Sequence, residues 1–231
     1  MNIHITTDWM KGQIEKKVSN WDARVFQFPF GIDTEVFRPK PELNAREILG
    51  LDKDTFVVAA RSTDDARKGF KELVEAIELV RKTGRKILLL CIQQQGLVAK
   101  YSKEVESIEL PWTNDLTNLG TFYEAADLFA MPSSVESFGM MALEAMSSGV
   151  PVITVGNTAA SEVTECPELE VNLDDLVGQL AKRITWAKDN EMKLKEIGVR
   201  ARVRAEANFS LGDYLVKLKN MYEQVASERT H

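Results

Sequence analysis

One stretch decides the fold: residues 128–155, with the sequence LFAMPSSVESFGMMALEAMSSGVPVITV. Two short apolar runs, 128–131 and 152–155, enclose a helix-like run that begins near Gly139. Continuous apolar runs are typical of strands that are covered on both faces. The stretch therefore predicts a strand–helix–strand unit within a parallel sheet.

Further apolar runs, at 25–28, 56–60 and 87–92, predict three more strands. A helix that ends at Gly84 is predicted between the last two runs. Its apolar face, at helical spacing, consists of Phe70, Leu73, Val74, Ile77 and Val80. The alternation of strands and helices predicts an α/β fold with a doubly wound parallel sheet.

Ligands of doubly wound sheets lie beyond the carboxyl ends of the strands, where Arg61, Gln93 and Glu136 fall. Glu136 precedes the predicted helix start, and we expect Glu144 two turns along the same helix. A helix start offers unpaired N–H groups to phosphate or sugar oxygens, and a carboxylate accepts hydrogen bonds from hydroxyls. The two acids predict a site for a polyhydroxylated, phosphorylated ligand. The alternative is that they are solvated and only complement the helix dipole.

Composition narrows the functional classes. The chain has 231 residues, with 35 acidic against 29 basic residues and no basic block, which argues against nucleic-acid binding. Its two cysteines, Cys91 and Cys166, suggest neither a metal quartet nor a disulfide framework and fit a reducing cytoplasm. His4 and His231 lie at the two ends, so an interior imidazole base or ligand is not expected. No apolar run approaches the roughly 18 residues of a membrane span.

The segment PSSVESFGMMALEAMSSGVPVI, residues 132–153, closely resembles the signature of group 1 retaining glycosyltransferases of the GT-B fold. The segment PFGIDTEVFRP, residues 29–39, is similar to the linker between the two domains of that family. The resemblance implies that the chain is the C-terminal, donor-binding half of a GT-B fold, with a Rossmann-like sheet. The implied parts are a tail of the N-terminal domain with the linker region at 1–28, a nucleotide-sugar-binding domain at 29–212 and a crossover helix at 213–231.

The segment RSTDDARKGF, residues 61–70, stands where the family has a G-R-x4-K-G motif that holds the donor diphosphate. Cations at a strand-to-helix turn can bind a diphosphate through charge-assisted hydrogen bonds. Here Ala60 replaces the glycine, and the spacing is two residues longer. The resemblance therefore implies Lys68 as one ligand and either Arg61 or Arg67 as the other. The alternative is that all three are solvated loop charges.

The same resemblance implies the other donor contacts. Glu144 would bind the ribose hydroxyls, and Glu136 would bind the donor sugar and is the catalytic candidate. Trp112 stands in the place of the base-binding loop, where it either stacks on a base or is an amphipathic surface residue. The remaining implied donor contacts are Ser137, Phe138, Gly139 and Met140. The turn at 156–162 has fewer glycines than the sugar-facing turn of the family.

The expected reaction is transfer of a hexose from a UDP- or GDP-sugar to a sugar or lipid-linked hydroxyl, in cell-surface polysaccharide or glycoconjugate synthesis. The resemblance implies no cofactor and no metal, since GT-B enzymes generally work without one. Expected partners are the nucleotide-sugar, the acceptor and an N-terminal domain or separate subunit. A cytoplasmic location is expected. Peripheral contact of the complete enzyme with the inner face of a membrane is an open alternative. The alternatives are a sugar-nucleotide epimerase of the same fold and a non-catalytic module that binds a nucleotide-sugar or a partner protein.

Overall fold

The computed structural model describes residues 1–18 and 23–227, so that 19–22, within the predicted tail, and His231 lie outside the described residues. The strands are β1 Asn2–Ile5, β2 Arg24–Gln27, β3 Phe56–Ser62, β4 Ile87–Gln93, β5 Ser107–Pro111, β6 Leu128–Met131, β7 Val152–Val155 and β8 Glu170–Val171. The helices are α1 Asp8–Lys17, α2 Ala45–Ile48, α3 Phe70–Arg81, α4 Leu97–Tyr101, α5 Leu116–Glu124, α6 Met140–Ser147, α7 Ala159–Thr164, α8 Leu176–Asp189, α9 Glu191–Asn208 and α10 Leu211–Ser227.

Six strands form one parallel sheet in the order β5-β4-β3-β6-β7-β8. This confirms the predicted doubly wound α/β fold. The apolar runs at 56–60, 87–92, 128–131 and 152–155 are its four central strands. Neither edge strand was predicted, because β5 is only half-buried and β8 has two residues. Short or half-exposed strands lack the continuous apolar run that marks a buried one.

The predicted strand at 25–28 forms as β2, at 24–27, but it does not join the main sheet. It pairs in parallel with β1, and α1 connects the two strands. The side chain of Thr7 accepts a hydrogen bond from the backbone N–H of Met10 and so caps the start of α1. The elements β1, α1 and β2 therefore form a βαβ unit of their own beside the main sheet.

Both faces of the main sheet are covered, which explains its continuous apolar strands. Along β3, Val58 is buried on the face that packs against α3 and α8, and Val57 is buried on the face that packs against α5 and α6. The helix predicted to end at Gly84 is α3, and all five of its predicted apolar residues are buried. None of the helices in the two described ranges is long and apolar enough to cross a membrane.

The linker and α10 tie the βαβ unit to the main sheet. The backbone N–H of Ile32 donates to Phe209, and Ile32 in turn accepts from the N–H of Leu211 at the start of α10. Gly31 lies so close to α10 that a Cβ atom there would stand 2.6 Å from Cβ of Tyr214. The described part of α10 covers 213–227 of the predicted crossover helix. The boundaries proposed for the three parts of the chain remain predictions.

Arg202 on α9 fixes the linker against α6. Its Nη1 donates to the carbonyl oxygens of Thr34 at 2.8 Å, Phe37 at 2.6 Å and Ser147 at 2.6 Å. Nη2 pairs with Glu206, and only 16% of the Arg202 side chain is exposed. One guanidinium therefore joins the linker, the end of α6 and α9.

We expect Arg202→Ala to lower the free energy of unfolding by about 1.5–3 kcal/mol, because hydrogen bonds from a buried charged group are lost and their acceptors stay buried. Urea denaturation measures the change. Arg200→Ala is the matched control, since Arg200 is exposed on the same helix and forms a surface ion pair with Glu168. Equal effects of the two substitutions would contradict the role of Arg202.

Candidate functional site

A cavity of about 220 Å³ opens at the carboxyl ends of β3 and β6, between the starts of α3 and α6. Of the ten candidate donor contacts named from the sequence, seven line it. They are Arg61, Lys68, Glu136, Ser137, Phe138, Gly139 and Met140. Arg67, Trp112 and Glu144 are not among its lining residues. The cavity lies where a doubly wound sheet is expected to bind its ligands.

Two helix starts border the cavity. Gly69 precedes α3 with φ of 66°, and Gly139 precedes α6 with φ of 100°. Neither helix has a side-chain cap, so the backbone N–H groups of their first turns have no capping acceptor among the described residues. Phe70 and Met140, the first residues of the two helices, both line the cavity. The partial positive charges of both helix starts therefore act on the same space.

Gly69 allows the start of α3 to press against the loop after β6. A Cβ atom at Gly69 would lie 2.4 Å from the carbonyl oxygen of Pro132. The same loop is bonded to the turn before α3, because Ser134 donates its backbone N–H to the carbonyl oxygen of Arg67 at 2.8 Å. The Lys-Gly pair found in the sequence thus combines a cation with the small residue that this contact requires.

Lys68 and Glu136 meet at this contact. Lys68 Nζ lies 2.7 Å from Glu136 Oε1, and the side chains are 28% and 13% exposed. In the sequence, these residues belong to two separate motifs. The structure brings them together as one partly buried ion pair on the cavity wall.

The two candidate arginines have different surroundings. Arg67 turns to Asp65, with Nη2 2.8 Å from Oδ2, and its side chain is 71% exposed. The hydrogen bonds from Arg67 lower the pKa of Asp65 to about 2, so the carboxylate stays ionised. Arg61 lines the cavity and has no acidic partner in the described part of the chain. Its position beside Lys68 favours Arg61 as the arginine that faces a ligand.

Glu144 lies one turn, and not two, beyond the start of α6, because the helix begins at Met140. Its Oε2 accepts a hydrogen bond of 2.6 Å from the hydroxyl of Tyr123. Burial raises the pKa of Glu144, and the bond from Tyr123 opposes that shift. No second partner for this carboxylate is found within the described ranges, so it keeps acceptor capacity for a ligand.

Tyr123 is a site residue that was not predicted from the sequence. Its ring is fully buried, as expected for the apolar side of α5, and packs on Phe129 and Phe37. Its hydroxyl nevertheless orients Glu144. The hydroxyl of a buried tyrosine normally forms a hydrogen bond, so the sequence could have predicted that Tyr123 has a polar partner. It could not identify Glu144 as that partner.

Trp112 follows the edge strand β5 and is 49% exposed. Its indole N–H donates to Asn114 Oδ1 at 3.2 Å, and the Arg61 guanidinium lies 5.7 Å from the ring centroid. Trp112 therefore stands beside the cavity, next to a residue of its lining. Its predicted stacking on a base remains a prediction.

The turn at 156–162 has an additional structural role. Glu162 accepts hydrogen bonds of 2.7 Å from the backbone N–H groups of Asp8 and Trp9, at the start of α1. Close by, the Thr6 hydroxyl donates to the carbonyl oxygen of Ser137 at 3.1 Å. The βαβ unit is thus bonded to the turn and to the cavity wall. Because Glu162 caps α1, its carboxylate is already engaged.

Comparison with known proteins identifies the family. The family model for glycosyl transferases group 1 matches residues 42–204, and the chain belongs to this family. A GDP-mannose-dependent monoacylated alpha-(1-6)-phosphatidylinositol monomannoside mannosyltransferase from Corynebacterium glutamicum is 30% identical over 200 residues, covering 79% of this chain and 51% of the relative. The chain spans between 30% and 59% of the lengths of the curated relatives it matches.

Solved structures show the same fold. Sucrose-phosphate synthase from Thermosynechococcus elongatus superposes with a TM-score of 0.83 at 25% identity, over 98% of this chain and 59% of that one. HepE from Anabaena, solved in complex with UDP-glucose, superposes with a TM-score of 0.74 at 18% identity, over 97% of this chain and 63% of that one. The resemblance to the GT-B glycosyltransferases is therefore confirmed.

Removal of the Tyr123 hydroxyl tests its bond to Glu144. We expect Tyr123→Phe to lower the free energy of unfolding by about 1–2 kcal/mol at neutral pH, because a buried carboxylate loses its donor. The loss should shrink near pH 4. Burial places the folded-state pKa of Glu144 above its unfolded value, so protonation removes the charge whose burial is unfavourable.

Thermal unfolding of both proteins across this pH range measures the effect. Tyr101→Phe is the control, since its hydroxyl donates to the exposed Asp64. A loss for Tyr123→Phe that stays constant with pH would contradict an interaction with the ionised carboxylate.

Proposed function

We propose that the chain is the donor-binding part of a retaining, nucleotide-sugar-dependent glycosyltransferase. The reaction is transfer of a hexose from a UDP- or GDP-sugar to a sugar or lipid-linked hydroxyl. One observation carries the proposal: Lys68, Arg61 and two uncapped helix starts converge on one cavity that also contains the carboxylate of Glu136. Cations and helix starts suit a diphosphate, and a carboxylate suits sugar hydroxyls.

The diphosphate is the leaving group, and negative charge develops on it as the bond to the sugar breaks. Lys68, Arg61 and the first N–H groups of α6 stabilise that charge without a metal ion. Such fixed donors are effective because they are already oriented when the charge appears. This assignment accounts for the absence of a side-chain cap on α6, since the donor would occupy the capping position.

Glu136 binds the donor sugar, together with Ser137 and the backbone of the α6 start. In the structure its carboxylate is held by Lys68. When Lys68 binds a diphosphate instead of Glu136, the Glu136 carboxylate can accept hydrogen bonds from sugar hydroxyls. The ion pair thus compensates both charged groups before a ligand binds, and binding exchanges it for contacts with the ligand.

Glu144 binds the ribose hydroxyls through the acceptor capacity that Tyr123 leaves. Trp112, beside Arg61, stacks on the base. Support for a nucleotide-sugar donor also comes from relatives, one described as GDP-mannose-dependent and another solved with UDP-glucose. Lipid-linked acceptors fit the phosphatidylinositol mannoside named for the Corynebacterium relative, and LpsB of Rhizobium meliloti is named for lipopolysaccharide core synthesis.

The roles of the cations are tested by calorimetry with UDP, GDP and the matching nucleosides. Lys68→Ala should reduce the affinity for the diphosphates by about 10- to 100-fold and leave the affinity for the nucleosides nearly unchanged, because only phosphate interacts with the cation. Arg67→Ala is the matched control and should leave both affinities unchanged, since Arg67 pairs with Asp65 outside the cavity. Equal losses of diphosphate and nucleoside would show that Lys68 acts only on the fold.

The proposed reaction is tested by incubating the chain with its best-bound nucleotide-sugar and a panel of acceptors. We expect binding with little transfer, because a chain half as long as its relatives neither positions the acceptor nor excludes water as a two-domain cleft does. Released nucleoside diphosphate and glycosylated product are measured. Acceptor-dependent turnover on the order of 1 per second or more would show that the chain alone is a complete catalyst. Failure to bind any nucleotide-sugar would overturn the proposed function.

A further inference from the structure

Gln93, the last residue of β4, has an unusual backbone. Its φ is 114°, whereas the other non-glycine residues with positive φ in the described ranges have values between 43° and 62°. Values near 50–60° are the ordinary left-handed conformation, but a φ of 114° is strongly unfavourable for a residue with a side chain. Such a conformation persists only where the surroundings impose it, and it is found preferentially at functional sites.

The surroundings of Gln93 show how the conformation is held. Gln93 is paired with Ser62 in the parallel register of β3 and β4. The Ser62 hydroxyl donates to the carbonyl oxygen of Ile92 at 3.2 Å and accepts the N–H of Gln94 at 2.9 Å, on the two sides of Gln93. The buried Ser62 therefore fixes the end of β4, and the side chain of Gln93 is directed to a neighbour on β3.

That neighbour is Arg61. The side-chain oxygen of Gln93 accepts a hydrogen bond from Arg61 Nε, and the guanidinium lies beside the ring of Trp112, 5.7 Å from its centroid. A guanidinium is planar, so a bond at Nε together with a ring at its side fixes the direction of the two Nη groups. No acidic side chain in the described part of the chain pairs with Arg61, whereas Lys68 pairs with Glu136 and Arg67 with Asp65.

We propose that Gln93 is a positioning residue that holds the Arg61 guanidinium ready for the donor diphosphate. The proposal rests on the proposed function, because it requires Arg61 to bind the diphosphate. A neutral amide suits this role: it engages Nε without neutralising the charge that the Nη groups present to the phosphate. A carboxylate at this position would form an ion pair with Arg61 and compete with the ligand. The unfavourable backbone of Gln93 is then retained for binding and not for stability.

The first test compares UDP or GDP with the matching nucleoside by calorimetry. We expect Gln93→Ala to reduce the affinity for the diphosphate by about 3- to 10-fold, the effect of one hydrogen bond, and to leave the affinity for the nucleoside unchanged. Gln93→Glu should reduce the affinity for the diphosphate further, because the introduced carboxylate pairs with Arg61. Gln95→Ala is the matched control, since Gln95 is an exposed glutamine two residues away whose amide donates to the carbonyl oxygen of Glu109.

A double-mutant cycle shows whether Gln93 acts through Arg61. In an Arg61→Ala background, Gln93→Ala should change the diphosphate affinity no further. An undiminished loss in that background would mean that Gln93 contacts the ligand itself, and the proposal would be overturned. The proposal would also be overturned if Gln93→Ala reduced the nucleoside and diphosphate affinities equally. It would likewise be overturned if the wild-type chain bound UDP or GDP and Gln93→Ala did not reduce that affinity. A wild-type chain that binds no nucleotide would instead overturn the proposed function.

A stability measurement gives an independent result. Gln93→Gly should raise Tm by about 2–4 °C, because glycine adopts a φ of 114° without strain. It should reduce the affinity for the diphosphate as much as Gln93→Ala does. Gln93→Ala keeps the strained backbone and should not raise Tm. A Tm for Gln93→Gly below that of Gln93→Ala would contradict the assignment of strain to this residue.

Discussion

The site depends on the close contact between the start of α3 and the loop after β6. Gly69 lies against the carbonyl group of Pro132, with no space for a side chain, and Ser134 is bonded to the backbone of Arg67. This contact brings Lys68 to Glu136 and places two uncapped helix starts on one cavity. A larger residue at Gly69 would separate the two loops, and with them the cation from the carboxylate. The electrostatics of the cavity therefore follow from one steric condition.

The cavity is cationic in a chain whose formal net charge is −6. Attraction of an anionic ligand must therefore be local, and it comes from Arg61 and the two helix starts, because Lys68 is paired with Glu136. Most other cations in the neighbourhood are compensated: Arg67 by Asp65, and Lys100 by Asp64. At physiological ionic strength, charges beyond about 8 Å are largely screened, so the few uncompensated groups at the cavity determine its preference.

The βαβ unit formed by β1, α1 and β2 is bonded to the same cavity wall. Glu162 holds the start of α1, and Thr6 is bonded to the backbone of Ser137, next to Glu136. Movement of this unit relative to the main sheet would therefore act directly on the cavity wall at Ser137. Under the proposed function, these bonds connect the donor site to the βαβ unit.

The sequence by itself determined the central strands, the α/β class, the family and seven residues of the cavity wall. It could do so because buried strands, amphipathic helices and the Lys-Gly and Glu136–Glu144 segments are local patterns. The tertiary structure alone decided that Arg61 and not Arg67 lines the cavity, that Lys68 pairs with Glu136, and that Tyr123 orients Glu144. These pairings depend on the strand order β4-β3-β6, which brings together residues that are distant in sequence. The unusual backbone of Gln93 likewise has no sequence signal, because only the register of β4 on β3 imposes it.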